Sequence, residues 1–77
     1  MRIAIVDDHA LIREGLRRAI RRHDDLAVVV EAASLSEARA SLHRTSADVL
    51  VVDNALPDGS GLDLCREQRA THPDRGI

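Results

Sequence analysis

Two stretches of the chain carry unbroken aliphatic runs that stop on acid. Ile3-Ala4-Ile5-Val6 runs into Asp7-Asp8, and Val49-Leu50-Val51-Val52 runs into Asp53. Continuous runs of this kind predict strands buried on both faces, because a sheet with one wet side shows alternation instead. The first strand is expected over residues 2–7, the second over 26–30 and the third over 48–53. Between the first two the period lengthens: Ile12, Leu16, Ala19, Ile20 and His23 recur at helical spacing over residues 10–22, with Asp8 or His9 at the N-cap. Arg13, Arg17, Arg18, Arg21 and Arg22 occupy the other side and read as a solvated face. Ser34-Leu35-Ser36-Glu37 has the capping-box form and opens a second helix over 35–45, with Leu35, Ala38 and Leu42 inward. Residues 54–61, containing Pro57-Asp58-Gly59 and Ser60-Gly61, read as a turn-rich loop. A third helix follows over 61–71 with Leu62 and Cys65 inward, and His72-Pro73-Asp74 ends it because proline cannot continue a helix.

The resulting order, β-α-β-α-β-α, calls for an α/β fold with a parallel sheet and right-handed crossovers, in a single domain over residues 1–77. Ligands of open α/β sheets bind at the carboxyl ends of the strands. If the first and third strands are neighbours, Asp7, Asp8 and Asp53 converge there. Three carboxylates so close repel one another unless a cation stands among them. Hard oxygen donors favour Mg²⁺, so the pattern points to a Mg²⁺-assisted phosphoryl-transfer site.

Composition narrows the remaining classes. With no Phe, Tyr or Trp, the core must be built from Leu, Ile, Val and Ala. A content of 44% apolar and 31% charged residues is that of a folded globular domain, not a disordered tail. A formal net charge of −2 argues against nucleic acid as a partner of this segment. The lone Cys65 excludes an internal disulfide and a multi-cysteine zinc site, and reads as a small buried hydrophobe. All eleven basic residues are arginine, which removes lysine from the chemistry. Met1-Arg2-Ile3 leads straight into a strand without a signal peptide, and no apolar run approaches the roughly 20 residues needed to span a bilayer, so a cytoplasmic, membrane-free location is expected.

Val6-Asp7-Asp8-His9, Arg13-Glu14-Gly15-Leu16 and the stretch Val52-Asp53-Asn54-Ala55-Leu56-Pro57-Asp58-Gly59-Ser60-Gly61 together resemble the receiver domain of bacterial two-component response regulators. The Asp-Asp-His start and the Arg-Glu-Gly-Leu helix are most similar to the NarL/LuxR-type branch. The resemblance covers every residue present but only the first three of the family's five βα repeats; the chain stops at Arg75-Gly76-Ile77, where a fourth strand would begin, and reads as a fold cut off partway. It implies a flavodoxin-like (CheY-like) three-layer fold and assigns roles. Asp53 would accept a phosphoryl group from a sensor histidine kinase as an aspartyl phosphate. Mg²⁺ would be held by Asp8 and Asp53, by Asp7 through water and by the backbone carbonyl of Ala55. Pro57 and Gly59 would shape the loop, and Ala10, Leu11 and Gly15 would lie where the kinase docks.

Departures from the family qualify this reading. The hydroxyl residue of the fourth strand and the lysine of the fifth have no counterpart here, so phosphoryl uptake by this chain alone is expected to be impaired. The DNA-binding output domain of a transcription regulator is likewise absent from the chain. Gln68 stands where the family places an aliphatic residue facing the sheet. In the family's strand order the third strand becomes a bare edge, which predicts a homodimer by third-strand pairing across a two-fold axis or by domain swapping. The alternative function is therefore a phosphorylation-incompetent pairing fragment. An enzyme, a Mg²⁺-dependent phosphohydrolase, would want a second acid two residues after the nucleophile, where Ala55 stands; at most weak self-phosphorylation and dephosphorylation are expected. His9 reads as a solvated residue at a helix start, not a metal ligand. His23, His43 and His72 have no ligand spacing, and Asp58 and Asp63 read as loop and first-turn acids.

Overall fold

In the computed structural model, which describes residues 1–73, the chain runs β1 (Arg2–Val6), α1 (Ala10–Arg21), β2 (Ala27–Ala32), α2 (Leu35–Arg44), β3 (Val49–Val52), β4 (Ala55–Leu56), β5 (Gly59–Ser60) and α3 (Gly61–Thr71). The expected start of a fourth strand at Arg75-Gly76-Ile77, and Asp74 of the helix-ending triplet, lie outside the described residues. Strands β2-β1-β3 form a parallel sheet in that order. β1 takes the centre because Ile3, Ala4, Ile5 and Val6 can be buried on both faces, and all four are. The register sets Val6 beside both Ala32 and Val52. The next residues continue it: Asp7 N–H donates to the Ala32 carbonyl at 2.9 Å, and Asp53 N–H to the Val6 carbonyl at 2.8 Å. Asp7 and Asp53 therefore emerge side by side.

The larger core cluster lies on one side of the sheet, where Ala4, Val6, Val30, Ala32 and Leu50 meet Leu35, Ala38 and Leu42 of α2 and Leu64 of α3. The start of α2 follows the sequence expectation closely. Ser34 Oγ accepts from Glu37 N–H at 3.2 Å, while the Glu37 carboxylate reaches back to Ala33 N–H at 2.9 Å. β2 begins one residue and ends two residues later than expected, because the parallel register carries it on to Ala32 opposite Val6.

Two helices differ in phase from the expected one. α1 has no fully buried residue; Ile12 is 52% exposed, and Ala19 and His23 are exposed as well. Its half-buried residues are Arg13, Glu14, Leu16, Arg17 and Ile20. Arg13 donates to the Asp7 carbonyl and Arg17 to the Glu31 carboxylate of β2 at 3.0 Å. These ties turn the arginine stems toward the sheet as apolar cover, and rotate Ile12 and Ala19 outward. In α3, Leu62 is 50% exposed and Leu64 fully buried, so the inward stripe is Gly61, Leu64, Cys65 and Gln68. A Cβ on Gly61 would collide with the Asp53 carbonyl, so this glycine lets the helix start abut the end of β3 and fixes its rotation. The loop after β3 is a miniature hairpin, with Ala55 opposite Ser60 and Leu56 opposite Gly59 around Pro57-Asp58.

Candidate metal centre

Parallel register brings the predicted acids together. Asp7, Asp8, His9 and Asp53 each offer one ligating atom within 4.8 Å of the others, and all four side chains reach solvent. Among the described residues this is the only cluster of three or more such groups that could hold a metal. Three of its four donors are carboxylate oxygens, hard ligands that suit Mg²⁺ better than a soft transition metal.

His9 is the exposed helix-start residue that the sequence predicts, and it also faces the acids. Although largely exposed, its Nδ1 lies 2.7 Å from Asp7 Oδ1, 3.1 Å from Asp8 Oδ1 and 3.5 Å from Asp53 Oδ2. It occupies the N-cap of α1 without capping it. The hydrogen bond to Asp7 and the charges of Asp8 and Asp7 raise its pKa above the ordinary imidazole value, so the ring, when protonated, is a counter-ion to the cluster. Asp7 responds in the opposite sense. Burial pushes its carboxyl up, but hydrogen bonds from the His9 backbone and ring, with the charges of His9 and Arg13, outweigh that and hold it below the usual range.

The loop residues are positioned by three ties. Ala55 N–H donates to Asp53 Oδ1 at 3.3 Å, and Gly61 N–H to the Asn54 carbonyl at 2.9 Å. Ser60 Oγ caps α3 through Leu62 N–H at 3.2 Å. At the hairpin tip beside Pro57, Asp58 proves to be more than a loop acid. Its two carboxylate oxygens accept from Leu35 N–H at 2.8 Å and Ser36 N–H at 3.0 Å, the first donors of α2. Those bonds lower its pKa. Gly59 has φ +147° and sits where a Cβ would come 2.8 Å from Leu35 Cδ1, so both its backbone and its surroundings call for glycine. Ala10, Leu11 and Gly15 are not among the clustered groups and are all exposed on α1.

Sequence reasoning read His9 as a solvated helix-start residue and Asp58 as a loop acid, and gave Gly61 no role of its own. His9 had a signal, since it follows the acid pair directly. Gly61 had a weaker one, a glycine at the first position of a helical run. Asp58 had none, because its partners lie 23 and 22 residues away.

The family model of the response regulator receiver domain matches residues 3–77. The mycobacterial DNA-binding transcriptional activator DevR/DosR of Mycobacterium tuberculosis is 40% identical over 74 residues, covering 96% of this chain and 34% of the relative. The response regulator GacA of Pseudomonas viridiflava is 35% identical over 74 residues, again 96% of this chain and 35% of the relative. Among solved structures, the RcsB response regulator of Salmonella typhimurium superposes with a TM-score of 0.89 at 26% identity, covering 97% of this chain and 40% of that one. A LuxR-family two-component response regulator from Aurantimonas sp. SI85-9A1 gives 0.85 at 40% identity, over 96% of this chain and 53% of that one. The chain thus spans about a third of the length of these curated relatives.

Proposed function

Because this chain belongs to the response regulator receiver domain family, we propose that Asp53 is its phosphoacceptor in two-component signalling, charged by a sensor histidine kinase. One observation carries the reading: the Asp53 carboxylate stands at a strand end beside Asp7 and Asp8, with ligating atoms within 4.8 Å. Asp8 and Asp53 would hold Mg²⁺ directly, with the Ala55 carbonyl as the remaining protein ligand. Asp7 would act through water, since its Oδ1 already accepts from the His9 backbone and ring. When bound, the cation offsets the charge that accumulates as a carboxylate meets a phosphoryl group. An Asp53 carboxylate oxygen attacks the phosphorus of a phosphohistidine; the P–N bond breaks and its electron pair returns to the imidazole nitrogen. The product is an acyl phosphate on Asp53. This is signalling chemistry and not turnover of a free substrate.

Ala10, Leu11 and Gly15 are the proposed kinase contact, supported by their exposure on α1. The parent protein in this reading is a cytoplasmic transcription regulator that reaches DNA through an output domain outside residues 1–77. A second copy of the chain is the proposed partner of β3, which pairs with β1 on one edge and with no strand on the other among the described residues. Domain swapping is the second route to the same dimer. Prolonged treatment with a small acyl phosphate and Mg²⁺, read by intact mass, is expected to add one phosphoryl group to a fraction of the wild type, uptake being impaired in this chain alone, and none to Asp53→Asn. Equal uptake by both would refute Asp53 as the acceptor.

A further inference from the structure

The hairpin that follows Asp53 is too small to hold itself in place. Its ladder is two residue pairs, Ala55 with Ser60 and Leu56 with Gly59, and short isolated hairpins are marginal in water. The local bond from Ala55 N–H to Asp53 Oδ1 is long, at 3.3 Å, and Ala55 is exposed. The base of the hairpin is fixed to α3 through Gly61 N–H on the Asn54 carbonyl and through the Ser60 cap. The tip has its polar tie elsewhere, through Asp58 to the first turn of α2. Leu56 and Gly59, beside Leu35, bring the apolar part of the tip to the same place.

We infer that Asp58 is a positioning residue, whose bidentate grip on Leu35 and Ser36 sets the loop carrying the Ala55 carbonyl at the Asp53 site. A charged acceptor on two helix N-terminal donors is a strong, directional clamp, helped by the positive end of the helix dipole. The helix does not depend on it for its cap, because Ser34 and Glu37 already form a capping box. The contact thus links two parts of the fold more than it builds either one. The inference rests on the proposed function, since it concerns the loop that would supply a Mg²⁺ ligand.

The test compares Asp58→Ala with Ser34→Ala, which loosens the same helix start without touching the hairpin. Both are titrated with Mg²⁺ in the 77-residue chain and followed by amide NMR. Asp58→Ala is expected to raise the Mg²⁺ dissociation constant about tenfold, as loss of outer supports does at metal sites. Ser34→Ala should change it less than about twofold, because its bonds stay within α2. Before any Mg²⁺ is added, amides of residues 55–60 should exchange faster in Asp58→Ala alone. Asp58→Asn, which keeps one acceptor oxygen, should recover part of the affinity, and it carries the comparison if the alanine variant does not fold. Wild-type affinity in Asp58→Ala, or equal weakening by both alanine variants, would overturn the positioning role alone. A wild-type chain whose Asp7, Asp8 and Asp53 amides ignore Mg²⁺ would overturn the functional reading itself, and the inference with it.

Discussion

At the scale of single residues, the acid cluster is a problem of charge, and His9 is the chain's own part-solution. Its ring reaches Asp7, Asp8 and Asp53 at once, and its pKa is raised by them. A folded pKa above the unfolded value means that His9 stabilises the fold fully below about pH 6.5, and that this contribution is lost as pH rises through the folded value. The protonated ring also opposes entry of a divalent cation among the same carboxylates. His9→Gln should therefore bind Mg²⁺ about threefold more tightly than the wild type near pH 6, with a smaller advantage near pH 8, the direction in which the wild-type ring loses its proton. Calorimetric titration at both values checks this. Weaker binding by the glutamine variant near pH 6 would mean that His9 is a ligand instead of a competitor.

At the scale of elements, the sequence revealed extents better than rotations. Aliphatic runs ending in acid gave the positions of β1 and β3, and the capping box gave the start of α2, because each signal is local. The rotation of α1 was hidden because arginine stems do the work of apolar residues at positions 13 and 17. That of α3 was hidden because it is set by the contact of Gly61 with the Asp53 carbonyl, a tertiary constraint. The acids of the site were legible for the same reason as the strands they end. The clamp of Asp58 on α2 was not, since no local pattern encodes a bond across 23 residues. The corrected phase of α3 has a direct check in thermal or denaturant unfolding. Leu64→Ala, which empties a fully buried position, should cost about 3 kcal/mol, whereas Leu62→Ala on the exposed side should cost less than about 0.5 kcal/mol. The reverse order would restore the inward Leu62 of the sequence reading.

At the scale of the whole molecule, β1 is paired on both sides, whereas the outer edges of β2 and of β3 pair with no strand among the described residues. Val51 on β3 is 39% exposed. Unpaired backbone donors and acceptors along an apolar strand are a template for another strand, and a two-fold axis is the simplest way for identical edges to meet. Sedimentation of the 77-residue chain at micromolar concentration should therefore find a dimer. Val51→Lys, a charge on that edge, should shift it to monomer. A wild-type chain that sediments as a folded monomer would remove β3 pairing from the account.

The central claim is that Asp7, Asp8 and Asp53 form one metal-assisted phosphoacceptor site, and the most direct test is an amide NMR titration of the wild-type chain with Mg²⁺. A dispersed spectrum with shifts concentrated at residues 7, 8 and 53–56 is the predicted result. A dispersed spectrum that stays unchanged there as Mg²⁺ is added would contradict it.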